Sequence, residues 1–93
     1  MTRELFFEGL DTAPCFYETE DVPEEARTIY ARFFDPRSGW EWLLMEYNSD
    51  DREGFGLVRG FETEFGYFSV DELYRVGATR DLERDYPCLL CEC

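Results

Sequence analysis

Between Thr28 and Phe68 the chain alternates extended segments with short clusters of turn-forming residues. Four segments are rich in aromatic and β-branched residues, namely 28–34, 40–47, 55–60 and 61–68. Connections this short favour antiparallel pairing of neighbours, because parallel strands need a long crossover. The pattern therefore predicts an antiparallel meander of about four strands.

Helices are predicted on both sides of this run. Apolar residues at 5–7 give one side to a helix within the first ten residues. Ser69 begins a second helix, because Glu72 completes a capping box three residues later and Gly77 ends the element. A short edge strand is expected within 80–86. The predicted fold class is α+β, with one antiparallel sheet, an N-terminal helix and a C-terminal helix.

The length of 93 residues predicts a single domain over 1–93, and a hydrophobic content of 44% is enough for a core. Its charge is unusual, with 22 acids against nine bases and a formal net charge of -13. Such a field repels nucleic acid and anionic membranes and attracts basic surfaces. We find no pattern typical of a signal peptide or membrane span, so we expect a location in the bacterial cytoplasm.

The residue types present argue against catalysis. Every base is arginine, and the absence of histidine removes the commonest general base and metal ligand. The absence of lysine excludes Schiff-base chemistry and the lysine of phosphate-binding loops. Carboxylate pairs could still hydrolyse sugars, but a sheet this small offers no deep cleft to bury them. We therefore expect no enzymatic activity and no cofactor.

Cysteines at both ends of the chain leave several interpretations open. Cys88, Cys91 and Cys93 form a C-x-x-C-x-C tail within residues 86–93, and Cys15 is a conceivable fourth zinc ligand. Neither a second C-x-x-C pair nor a histidine pair accompanies the tail. Zinc binding, a regulatory disulfide and an idle tail all remain open. Cys15 itself, between Pro14 and Phe16, is expected to fill the core.

Strand alternation predicts where several acids point. Glu41 should point away from the tryptophans on either side of it. Glu62 and Glu64 should share one strand face, about 6.7 Å apart, which is close to the spacing of successive phosphates along a nucleic-acid strand. The candidate partner-binding residues, expected to form one acidic surface, are Glu41, Glu46, Asp50, Asp51, Glu53, Glu62, Glu64, Asp71 and Glu72.

Purely structural roles are the alternative for some of these acids. Glu72 is expected to cap the second helix. Glu41 or Glu62 is expected to pair with an arginine on a neighbouring strand. Neither role excludes a place on a binding surface.

Three stretches of the chain carry a resemblance: Ala31–Trp42, Phe55–Ser69 and Glu83–Asp85. With their order of glycine, aromatic and acidic residues, they resemble the core signature of a small bacterial domain family of unknown function that is carried on mobile elements. The opening at residues 14–17 resembles the start of that family. The resemblance covers residues 14–85 and does not extend to the cysteine tail.

The short acidic chain also resembles phage-encoded anti-CRISPR proteins that inhibit type I-C surveillance complexes. This resemblance implies DNA mimicry, in which carboxylates occupy the basic site meant for target DNA. The partner would be a basic DNA-binding subunit of a type I CRISPR–Cas effector. Two alternatives remain: an inhibitor of another DNA-binding defence enzyme, or a generic interaction module of a phage or plasmid that uses exposed aromatics such as Tyr30 or Phe34.

Overall fold

The structure is a computed structural model and describes residues 2–23, 26–84 and 86–90. Two short helices and a 3₁₀ turn accompany the strands: α1 (Arg3–Phe7), the 3₁₀ turn (Leu10–Thr12) and α2 (Val70–Arg75). The strands are β1 (Thr28–Ile29), β2 (Ala31–Phe34), β3 (Glu41–Asn48), β4 (Glu53–Arg59), β5 (Thr63–Ser69), β6 (Thr79–Arg80) and β7 (Cys88–Leu89).

The main sheet is antiparallel and has five strands in the order β5-β4-β3-β2-β6. The predicted α+β class is therefore confirmed, with a helix before the sheet and another near its end. The predicted meander corresponds to β2 to β5. The fifth strand, β6, is the short edge strand expected after α2, although it lies at Thr79–Arg80 and so overlaps the expected range of 80–86 only at Arg80. It pairs with β2 so that Phe33 lies opposite Arg80. A separate two-stranded sheet joins β1 to β7.

A cluster of buried apolar side chains lies on each face of the sheet. On one face, Phe6 of α1 and Leu73 of α2 pack against Phe33, Leu44 and Phe68. The opposite face carries a smaller cluster of Ile29, Leu43, Met45 and Leu57, partly covered by Tyr86, Cys88 and Leu90. We call these the helix face and the open face, because α1 and α2 pack on the first, whereas Phe65 and Tyr67 of β5 stay 38% and 50% exposed on the second.

A β-bulge interrupts the alternation of β3. Leu44 lies opposite Gly56, but the next paired residue is Glu46, opposite Phe55. Met45 is the extra residue, and every side chain after it changes face relative to a regular strand. As a result Glu46 joins Phe55 on the open face, whereas Tyr47 packs in the helix-face core.

Both ends of α2 follow from local sequence. The Ser69 hydroxyl accepts a hydrogen bond from the Glu72 amide at 3.1 Å, as the capping box predicts. At the other end Gly77 adopts a left-handed φ of 87°, and the Ala78 amide donates to the Leu73 carbonyl at 3.0 Å. This is a Schellman motif, so the prediction that Gly77 ends the helix is confirmed.

Arg80 of β6 secures the end of α1. Its Nη1 donates to the carbonyl oxygens of Leu5, Phe6 and Glu8 at 3.0, 3.3 and 2.7 Å. These carbonyls have no partner within so short a helix, so one guanidinium satisfies three of them. The contact fixes α1 against the sheet edge.

Candidate partner-binding surface

The β3–β4 turn presents three of the candidate acids on an ordered loop. The Asp50 amide donates to the Asn48 side-chain oxygen at 3.0 Å, and the Asn48 amide group donates to Asp51 at 3.3 Å. Arg52 completes the turn with a left-handed φ of 51°. Glu53 then begins β4. Asp50 and Asp51 are exposed, so their carboxylates face solvent from a hydrogen-bonded turn.

The first turn of α2 lies beside this loop, because the Val70 amide donates to the Arg52 carbonyl at 2.9 Å. Asp71 pairs with Arg52 at 3.0 Å and with Arg3 of α1 at 3.2 Å. Partial burial acts to raise the pKa of Asp71, but the hydrogen bonds and charges of Arg52 and Arg3 outweigh it. The pKa of Asp71 is therefore lowered from 3.8.

Two further acids belong to this end of the molecule. A cavity next to the turn is lined by Glu4 and Asp11 together with Arg3 and Arg52, and an adjoining one by Asp11 and Asp50. Sequence reasoning missed Glu4 and Asp11, because only the packing of the N-terminal segment brings them here. We define the turn-end surface as Glu4, Asp11, Asp50, Asp51, Glu53, Asp71 and Glu72 with the two arginines Arg3 and Arg52.

The remaining candidates lie at the other end of the sheet. Glu41 pairs with Arg59 in the register of β3 and β4, and Glu64 lies opposite Val58. Glu53 and Arg59 are six residues apart on β4, which corresponds to about 20 Å along the strand. The prediction of one continuous acidic surface is therefore wrong: the sheet separates the turn-end surface from a far-end group of Glu41, Glu62 and Glu64.

Within the far-end group the three acids have different surroundings. Glu41 points away from the tryptophans, as predicted, and binds Arg32 at 2.7 Å and Arg59 at 3.8 Å. The expected cross-strand pairing is thus confirmed for Glu41. Glu62 and Glu64 are exposed, and no arginine within the described ranges lies within 4.0 Å of either. Glu64 lies opposite Val58 on the helix face, where its side chain is exposed.

Glu46 is not a surface residue, so its assignment as a partner contact is wrong. The side chain is 3% exposed. Its carboxylate accepts hydrogen bonds from the Tyr17 amide at 2.9 Å and the Thr19 amide at 3.0 Å, and from the Thr19 hydroxyl. The bulge in β3 turns Glu46 beneath the 15–22 loop, where the carboxylate holds that loop on the open face.

Exposed aromatics occur in places other than those expected. Tyr30 and Phe34 are half-buried, and the Arg32 guanidinium covers the Phe34 ring at 4.7 Å. The most exposed aromatic among the described residues is Phe61, at 96%, and its ring packs edge-on against Trp40 at 5.4 Å. The β4–β5 turn therefore projects an aromatic ring into solvent beside Glu62.

The structure bears on the cysteines only in part. Cys15 is exposed, so the prediction that it fills the core is wrong, because Phe16 and not Cys15 contacts the Tyr67 ring. Cys88 is half-buried and has no disulfide, while Cys91 and Cys93 lie outside the described residues. Over 2–23, 26–84 and 86–90, no three His, Cys, Asp or Glu side chains are grouped as a metal site would require.

Comparison with known proteins gives no relative from which a role could be transferred. No family model, curated protein or solved structure matches the chain. The resemblances noted from the sequence therefore stay predictions. Among the described residues, no helix is long and apolar enough to cross a membrane.

Proposed function

We propose that this protein is a DNA-mimicking inhibitor that binds the DNA-binding surface of a type I CRISPR–Cas surveillance complex, a basic partner, and blocks target DNA. The proposal assigns it no catalytic step and no cofactor. It takes the partner from the anti-CRISPR resemblance and assigns the contact with that partner to the turn-end surface.

The observation that carries the proposal is the charge balance of that surface. Seven carboxylates share it with two arginines, and both arginines pair with the same residue, Asp71. Within the described ranges, the other six carboxylates have no arginine within 4.0 Å. Lysines and arginines that normally bind phosphates can form charge-assisted hydrogen bonds with carboxylates in the same way.

Rigidity supports the same interpretation. Asn48 binds the Asp50 amide and the Asp51 carboxylate, α2 starts from the Ser69 cap, and the Val70 amide bonds to the same turn. A partner that binds this turn has little loop freedom to immobilise, which limits the entropic cost of binding. The net charge of -13 also steers the chain toward basic clefts and speeds association.

A matched pair of double variants tests which end of the molecule binds. D50N with D51N removes two charges from the turn-end surface, and E62Q with E64Q removes two from the far-end group. We expect the first variant to exclude target DNA from the complex at least about tenfold less well, because one charge-assisted hydrogen bond contributes about 1.5 kcal/mol or more. The second should retain near wild-type exclusion.

Competition between each variant and labelled target DNA on the purified complex gives the affinity. Circular dichroism provides the control for folding. Equal losses for both variants would indicate that only the net charge matters. Unchanged exclusion by D50N/D51N would refute the turn-end surface as the contact.

Phe61 favours a second candidate function, a protein-interaction module that binds through an aromatic anchor. A ring that is 96% exposed is unusual for a phenylalanine and could fill a pocket on a partner. In that case F61A abolishes binding, and binding of the wild type survives high salt. The DNA-mimic proposal requires the opposite salt response.

A further inference from the structure

Strand β5 forms one edge of the main sheet, and its outward hydrogen-bonding groups can be identified. The Val70 amide donates to the Arg52 carbonyl, and at the other end the Gly60 amide donates to the Glu62 carbonyl at 3.1 Å. Hydrogen-bonded pairs alternate along an antiparallel ladder. Even-numbered residues of β5 therefore bond to β4, and the N–H and C=O groups of Thr63, Phe65 and Tyr67 point outward.

This edge has few of the usual devices that prevent strands from pairing. Residues 63–69 contain no proline, lysine or arginine and a single charged side chain, Glu64, and their register with β4 is free of bulges. Phe65 and Tyr67 are 38% and 50% exposed on the open face. The edge thus combines backbone groups that have no partner among the described residues with exposed aromatic surface.

The order of residues along β5 is symmetric about Gly66. When two copies of the strand run antiparallel around a two-fold axis at Gly66, Phe65 of one copy lies opposite Tyr67 of the other. Thr63 likewise lies opposite Ser69. These are hydrogen-bonded pairs, because the backbone N–H and C=O groups of these residues point outward. Their side chains form aromatic pairs and hydroxyl pairs, which are kinds of cross-strand pair that stabilise antiparallel strands.

Gly66 has no evident role within its own chain. Its φ is not positive, and a Cβ built on it would meet no atom within 4 Å. Glycine in a strand interior weakens the strand and often marks the close approach of another backbone. In the symmetric register Gly66 faces its own copy in a non-hydrogen-bonded pair, where the Cα atoms approach to about 4.5 Å.

We propose that β5 pairs with β5 of a second copy of this chain, forming a two-fold dimer with a continuous ten-stranded sheet. The proposal does not depend on the proposed function. It adds an assembly that places Glu62 and Glu64 of one copy beside the turn-end surface of the other.

Charge repulsion does not prevent this register. The two Glu64 residues are four strand positions apart, or about 14 Å, which exceeds the Debye length of about 8 Å at physiological salt. Glu62 approaches Asp71 of the second copy, but Arg3 and Arg52 already pair with that carboxylate. Residual repulsion between two chains of net charge -13 means that added salt strengthens the dimer.

Sedimentation of the isolated chain tests the proposal. Across micromolar to millimolar protein we expect a monomer–dimer equilibrium that shifts toward dimer between about 0.1 M and about 1 M NaCl. The amides of Phe65 and Tyr67 should exchange more slowly with deuterium as protein concentration rises. A chain that stays monomeric throughout would overturn the proposal.

Charge variants at the symmetry axis test the register. G66K and G66E each place like charges directly opposite each other in the dimer but in open space in the monomer. Each variant alone should dimerise about fivefold more weakly than G66Q. An equal mixture of G66K and G66E should form a heterodimer, because a Lys–Glu pair then lies across the axis. G66Q is the neutral control, because it replaces the glycine with a side chain of similar size but adds no charge. Unchanged dimerisation of G66K, or no recovery in the mixture, would contradict pairing around Gly66.

Discussion

Glu46 offers the sharpest test of the tertiary structure. The substitution E46L removes the acceptor for two backbone amides, those of Tyr17 and Thr19, and for the Thr19 hydroxyl. An unsatisfied buried donor costs about 1–3 kcal/mol, and the loop can rehydrate part of its backbone. We therefore expect a loss of about 3 kcal/mol in the free energy of unfolding.

For a domain of this size, each kcal/mol corresponds to about 4–8 °C in Tm. The expected fall in Tm for E46L is therefore about 12–24 °C, measured by thermal unfolding. E46Q keeps one acceptor oxygen in place and should lose less. Deuterium exchange at Tyr17 and Thr19 should accelerate in E46L before global unfolding.

The opposing effect is the removal of a buried charge, which can stabilise a protein when a well-packed apolar residue replaces it. An E46L variant with wild-type Tm and unchanged exchange at both amides would show that the carboxylate does not hold the 15–22 loop. That result would refute the reasoning about Glu46.

Three further predictions concern stability and are measured by chemical unfolding. G56A should destabilise by several kcal/mol, because its Cβ would lie 1.8 Å from a backbone oxygen of β3, whereas G66A, which meets no atom within 4 Å, should not destabilise. S69A should cost about 1 kcal/mol through loss of the α2 cap. Because the pKa of Asp71 is lowered on folding, its carboxylate contributes stability that is present above pH 3.8 and lost as pH falls through the folded-state pKa. In D71N the free energy of unfolding should therefore fall less steeply on acidification.

Local signals account for the parts of the fold that the sequence predicts well. Aromatic and β-branched runs with turn clusters identify β2 to β5, and the serine cap and Gly77 identify both ends of α2. These features depend on neighbours within a few residues. They can therefore be recognised without knowledge of tertiary contacts.

The errors arise where tertiary contacts override the local pattern. Strict alternation gives no indication of the bulge at Met45, which moves Glu46 from solvent to a buried position. The length of β4 separates the turn-end surface from the far-end group, which the sequence places in one surface. The packing of the N-terminal segment adds Glu4 and Asp11 to the turn-end surface. A surface built from four segments cannot be deduced from spacing along the chain.

The central claim is that carboxylates of the turn-end surface take the place of DNA phosphates. The most direct measurement is the affinity of the wild-type chain for a type I surveillance complex over a range of NaCl concentrations, with target DNA as competitor. We predict mutually exclusive binding and an affinity that falls steeply as salt rises. Binding that is insensitive to salt, or a complex that holds the chain and target DNA together, would contradict the claim.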